Sequence, residues 1–123
     1  MTEITMEMLE CCYDYTKRVY LDGLNREDAI TEICVETFMD YYSAKRYIGA
    51  IIKLIRGERY SAVIKSEFYS LLLDKIQTDF GDEGVMRALN AMKEHIYQNK
   101  RPMNEAQNIV NIYGKKFGIR IMN

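Results

Sequence analysis

Apolar residues recur every three or four positions along most of this chain, the period of an amphipathic α-helix rather than the alternation of a half-buried strand. From Thr5, the set Met8, Leu9, Cys12, Tyr15, Val19 and Tyr20 keeps that spacing until Asp22 and Gly23 interrupt it, which predicts a first helix over about residues 5–21. Asn25 is an N-cap residue with Glu27 and Asp28 in the first turn, where the helix dipole favours acids. The stripe Ala29, Ile30, Ile33 and Phe38 then predicts a second helix over about residues 26–38. Ser43 is placed to cap a third helix, and Gly57 to end it in the left-handed conformation.

Beyond Gly57, the set Ile64, Phe68, Leu71, Leu72 and Ile76 predicts a fourth helix over about residues 63–79, ended by "DFGDEG". Asp82 caps a fifth, with Val85, Met86, Leu89, Met92 and Ile96 as its apolar face, fading near Asn99 ahead of Pro102. Asn104 and Glu105 open a last helix, carried by Ala106, Ile109, Val110 and Tyr113 and ended by Gly114 or Gly118. The pattern predicts an all-α fold: a compact bundle of about five to six short helices, with one segment of helix-turn-helix proportions.

Composition agrees. One proline and seven glycines among 123 residues leave too few turn signals for an all-β domain, while 48% apolar and 28% charged residues are ordinary for a globular one. The length fits a single domain over residues 1–123. No apolar run has the roughly 20 residues that cross a bilayer, and the acidic start "MTEITMEMLE" is unlike a signal peptide. A cytoplasmic protein is expected. Cys11, Cys12 and Cys34 lack the spacing of a zinc or redox motif, so buried, reduced thiols acting as small hydrophobes are expected.

Charge changes the picture more, because a net charge of −1 conceals a strong separation of signs. Residues 1–42 carry −7, residues 43–65 carry +5, residues 66–94 carry −3 and residues 95–123 carry +4. At about 100° per residue, Lys45, Arg46, Lys53 and Arg56 fall within one quadrant of the third helix, and Ala44, Ile48, Ile51 and Ile55 on the core side. Gly49 lies inside the basic quadrant, where the missing side chain lets a phosphate or a partner backbone come close. Two readings are open: a solvated face opposite the core, or a binding face that adds Arg59, Tyr60 and Lys65 to Lys45, Arg46, Gly49, Lys53 and Arg56.

The second and third helices have helix-turn-helix proportions, and the start of the third would present Ala44, Lys45, Arg46 and Tyr47 to a groove. Tyr41, Tyr42, Tyr47 and Tyr60 are interleaved with the basic residues, as base-stacking groups or as amphipathic caps on the core. Catalytic patterns are missing. His95 is the single histidine, so neither a histidine metal cluster nor a two-histidine mechanism is available within one chain. Arg87 and His95 are eight apart, beyond the arginine-x4-to-6-histidine spacing of helical ribonucleases, which favours a structural histidine. "DFGDEG" has no Lys-Ser or Lys-Thr after it and reads as a capping turn rather than a phosphate loop. The expectation is a non-enzyme without metal or cofactor.

The segments "LNREDAITEI", "YYSAKRYIGAIIKLIRGERYS" and "LLLDKIQTDFGDEGVMRALNAMKEHI" resemble a small helical domain that precedes the nuclease domain in HNH restriction-type bacterial proteins. The resemblance covers about residues 5–97, and residues 98–123 are too few for the nuclease. It implies a setting of nucleic-acid defence or counter-defence, with Lys45, Arg46, Lys53 and Arg56 inheriting any task of DNA targeting. Two functions follow as expectations. One is binding of DNA or RNA through the basic helix face. The other is a phage-type inhibitor, anti-CRISPR or anti-restriction, or an adaptor that binds a nucleic-acid-processing protein, with the acidic first third imitating nucleic acid. A homodimer is a further candidate assembly.

Overall fold

The computed structural model describes residues 3–98 and 104–116. Among the described residues every regular element is helical: α1 (Met6–Asp22), α2 (Arg26–Thr37), α3 (Tyr41–Arg56), α4 (Ser66–Gln98) and α5 (Asn104–Lys116). The all-α class is as the periodicity predicts. The chain divides into two compact units, Met1–Ile52 and Lys53–Asn123, so the division falls inside α3.

In the first unit the caps explain the boundaries. Thr5 accepts from the Met8 N–H at 3.2 Å to start α1, and Gly23, at φ 73°, ends it. Asn25 Oδ1 accepts from the N–H groups of Glu27 (2.9 Å) and Asp28 (3.2 Å), which answers the unpaired donors of the first turn of α2. Leu9, Cys12 and Tyr13 of α1 and Ala29, Ile30 and Ile33 of α2 are buried. Phe38 departs from the expected stripe. It follows the end of α2 as a left-handed cap residue, φ 63°, its N–H donating to the Cys34 carbonyl, and its ring is 85% exposed. Reversal of the chain at Phe38 carries it off the helical period on which the stripe was drawn.

The start of α3 is also corrected. Asp40, not Ser43, is the capping residue: its carboxylate accepts from the Ser43 N–H at 3.0 Å and the Ser43 hydroxyl at 2.7 Å. The connection from α2 is therefore three residues, 38–40, shorter than the "TFMDYY" turn.

In the second unit Gly57, at φ 77°, closes α3 as expected. Its N–H donates to the Leu54 carbonyl and that of Glu58 to the Lys53 carbonyl, at 3.2 and 2.8 Å. Residues 66–80 and 82–98 are the two helices the periodicity separates, joined directly at Gly81 within the span of α4. Gly81 sits at φ 71°, ψ −167°, a region open in practice to glycine alone. Val85, Leu89 and Met92 are buried and Ile96 half-buried, whereas Met86, expected on the same face, is 51% exposed. α5 docks on α4 through Tyr113, whose hydroxyl lies 3.0 Å from Asp74 Oδ1 and 3.2 Å from the Ser70 carbonyl oxygen. Gly114 is helical and does not end α5; Gly118, Asn99 and Pro102 lie outside the described residues.

The conformation at Gly81 gives a first prediction. A Cβ there meets nothing within 4 Å, so the cost of Gly81→Ala is backbone strain alone, about 1–3 kcal/mol, read as a lowered urea midpoint with an unchanged m-value.

Candidate functional site

The site expected from the charge pattern is the polar side of α3. Burial fixes how that helix is turned. Ala44, Ile48, Ile51, Leu54 and Ile55 are each 0% exposed, and Ala50 and Ile52 are buried beside them. Lys45, Arg46, Lys53 and Arg56 are exposed, and Gly49 is half-buried with open space where a Cβ would stand. From Lys45 to Arg56 the cations extend over about 16 Å of helix. Tyr42 falls in the same quadrant one turn earlier and is 73% exposed, its ring edge-on to Tyr41 at 5.3 Å.

The partners of these cations differ. Lys45 Nζ is 5.9 Å from the Tyr41 ring centroid, which leaves the ammonium in solvent. Arg46 and Lys53 have no hydrogen-bond, ion-pair or ring partner among the described residues. The Tyr41 hydroxyl is held by Glu27, 2.8 and 2.9 Å from its two oxygens, which pushes the phenol's pKa up. Ser43 holds the Asp40 carboxyl below its ordinary value. The helix start therefore carries an anion, and the cations lie along its middle and end.

Other expected members are placed differently. Ala44 and Tyr47 are buried, so of the four residues expected to face a groove only Lys45 and Arg46 do so. Arg59 is exposed beyond the end of α3, and Lys65 is exposed with its ammonium 5.8 Å from the Phe68 ring centroid. Tyr60 is not on any binding face. It is 2% exposed, its ring stacks on His95 at 4.3 Å and 12°, and its hydroxyl is hydrogen-bonded to that of Tyr69.

His95 and Arg87, conspicuous in the sequence as a spaced pair, serve the chain that leaves α3. Arg87 Nε donates to the Ile55 carbonyl at 3.2 Å, placing a guanidinium at the negative end of the helix. A Cβ on Gly57 would stand 3.1 Å from Arg87 Cβ, so glycine is also what admits this approach. His95 Nδ1 lies 2.7 Å from the Tyr60 carbonyl oxygen, which requires the proton on Nδ1, and its Nε2 is buried without a partner. The two side chains thus hold two carbonyls of the 55–60 segment, a structural role for which the only sequence signal is their spacing.

Thiol chemistry finds little support in the surroundings of the cysteines. Of the three, only Cys12 is buried; Cys11 and Cys34 are half-buried. Cys11 donates to Glu36 Oε2 at 3.1 Å, and Cys12 lies with its sulfur 3.6 Å from that of Met39. Burial, and for Cys11 the adjacent Glu36 carboxylate, pushes both thiols up to about 12. Among the described residues no three His, Cys, Asp or Glu side chains are grouped to hold a metal ion, and no helix is long and apolar enough to cross a membrane. A cleft of about 400 Å³ lies in the first unit, lined by Tyr15, Arg18, Leu24, Asp28, Thr31 and Glu32.

Comparison with known proteins adds no relative: no family model, no curated protein and no solved structure matches the chain.

Two predictions follow. His95→Ala removes the donor to the Tyr60 carbonyl and the ring under Tyr60, lowering stability by about 2–4 kcal/mol in denaturant titration. A thiol raised to about 12 stays protonated at pH 8, where an ordinary one is about one-quarter thiolate. Alkylation of Cys11 and Cys12 at pH 8 should therefore be more than about a hundredfold slower in the native chain than in urea, as read by mass spectrometry.

Proposed function

We propose that this chain is a non-enzymatic binding protein that takes DNA or RNA along the solvent side of α3, in the setting of nucleic-acid defence or counter-defence. The observation that carries the reading is the exposed strip of Lys45, Arg46, Lys53 and Arg56 around Gly49. Arg46 and Lys53 lack partners among the described residues, and no side chain stands over the glycine. A row of cations about 16 Å long on a helix suits a phosphate backbone or the floor of a major groove, and Tyr42 at its end offers a ring for stacking. The capping carboxylate of Asp40 places the phosphate contacts from Lys45 onward rather than at the helix start. The resemblance to the domain that precedes HNH nucleases points to the same residues.

A second reading, an inhibitor or adaptor that docks on the basic groove of a nuclease, draws on α2 instead. Asp28 and Glu32 are exposed at the rim of the cleft in the first unit, where they could imitate phosphates.

Salt dependence separates the two. Binding of duplex DNA or RNA through four cations should weaken with salt at a log–log slope of up to about 3.6. The double change Arg46→Ala with Lys53→Ala, on exposed side chains, should leave stability within about 0.5 kcal/mol. It should weaken binding by about tenfold or more and reduce the slope by about 1.8. No binding to either nucleic acid at low ionic strength would overturn the reading.

A further inference from the structure

The cleft of the first unit lies between α1 and α2, away from the basic side of α3. α1 contributes Tyr15 and Arg18 to its walls, α2 contributes Asp28, Thr31 and Glu32, and the connection between the helices contributes Leu24. Its volume of about 400 Å³ falls within the roughly 300–1,000 Å³ of small-ligand sites.

Both walls carry charge, and the charges do not pair with each other. Arg18, Asp28 and Glu32 are exposed, and among the described residues no ion pair joins the guanidinium to either carboxylate. Arg18 is held on its own wall instead. The Tyr15 hydroxyl donates to Glu36 Oε1 at 3.0 Å, which fixes the ring, and the guanidinium lies over that ring, 5.2 Å from its centroid. The hydrogen bond to Glu36, burial, and the charges of Glu36 and Glu32 push the Tyr15 pKa up, so Glu32 acts on the same ring from the opposite wall. Asp28 and Glu32, four apart on α2, project from one face with their Cβ atoms about 6 Å apart. Thr31 between them gives its hydroxyl to the Glu27 carbonyl at 3.0 Å and so offers neither carboxylate a donor.

One positioned cation and two carboxylates thus line a space the size of a single small molecule. The matching ligand carries the inverse set, one carboxylate and two cations. An amino acid with a neutral side chain leaves one wall carboxylate unmatched, and an acidic one sets a second negative charge against the pair. A basic amino acid has all three charges, and its methylenes can lie along the half-buried Tyr15 and Leu24. The charge of −7 over residues 1–42 draws such a cation toward this unit.

We propose that the α1–α2 cleft is a binding site for a free basic amino acid, arginine or lysine, whose α-carboxylate meets Arg18 and whose α-ammonium and side-chain cation meet Asp28 and Glu32. None of these residues lies on α3, so binding here is independent of the nucleic-acid face.

The test is titration of the isotopically labelled full chain at low salt, followed through its amide resonances. Arginine and lysine at millimolar concentration should shift the signals around Tyr15, Leu24 and Thr31 to saturation, and glutamate should not. Agmatine, which is arginine without the carboxylate, should bind about two- to fivefold more weakly, the worth of one exposed ion pair. Arg18→Gln should abolish the difference between arginine and agmatine, and Glu32→Gln should weaken both alike, the spectra themselves showing that each variant is folded. N-acetyl-arginine, a stand-in for the last residue of a peptide, should bind more weakly than arginine, and equal binding would overturn the assignment to the free amino acid. Signals that arginine leaves unmoved, glutamate binding as well as arginine, or a preference for arginine over agmatine that survives Arg18→Gln would each overturn the proposal. So would shifts spread without saturation over the acidic surface of α1 and α2, the mark of a cation attracted to no particular site.

Discussion

Burial of one side of α3 is the interaction on which the rest of the arrangement depends. Ile48, Ile51, Leu54 and Ile55 have no exposed surface, and at about 1.5–3 kcal/mol for each such side chain their burial far outweighs any preference among the exposed ones. Turning the helix by one residue would bring a lysine or arginine into that space, at a desolvation cost no surface contact offsets. The basic strip faces solvent because the isoleucines leave it nowhere else to go. That explains its exposure but not its sign, since glutamates would satisfy the same constraint.

Much of this was legible in the chain. Gly23, Asn25 and Gly57 punctuate helices where their conformational and capping preferences place them, and the helical period alone puts Ala44, Ile48, Ile51 and Ile55 in the core, where they are buried. Phe38 matched an apolar stripe, but periodicity says nothing past the residue where the chain leaves the helix. Asp40 and Ser43 are both capping residues three apart, and the structure uses them as a pair, the first accepting and the second donating. Tyr60 lay in a run of charged and polar residues and so looked exposed; what buries it is a carbonyl and ring contact with His95, 35 positions along the chain. No local pattern encodes that contact. The same holds for Arg87, whose part in closing α3 follows from its approach to Gly57 and not from its neighbours in sequence.

The separation of charge along the sequence survives folding in a particular way. Within the first unit, Glu27 is held by the Tyr41 hydroxyl, and Glu36 by the Tyr15 hydroxyl and the Cys11 thiol. Each of these donors is neutral. The carboxylates are oriented without being neutralised, and Arg46 remains without a counter-ion among the described residues. At physiological ionic strength a charge is felt over roughly 8 Å, so neighbouring patches of opposite sign on one small unit stay distinct to anything that touches them. A fold seeking only its own stability would gain little by pairing such exposed groups, since surface ion pairs contribute about 0–1 kcal/mol. Leaving them unpaired costs correspondingly little and keeps both signs available, the positive one along α3 and the negative one along α2, for whatever the surface meets.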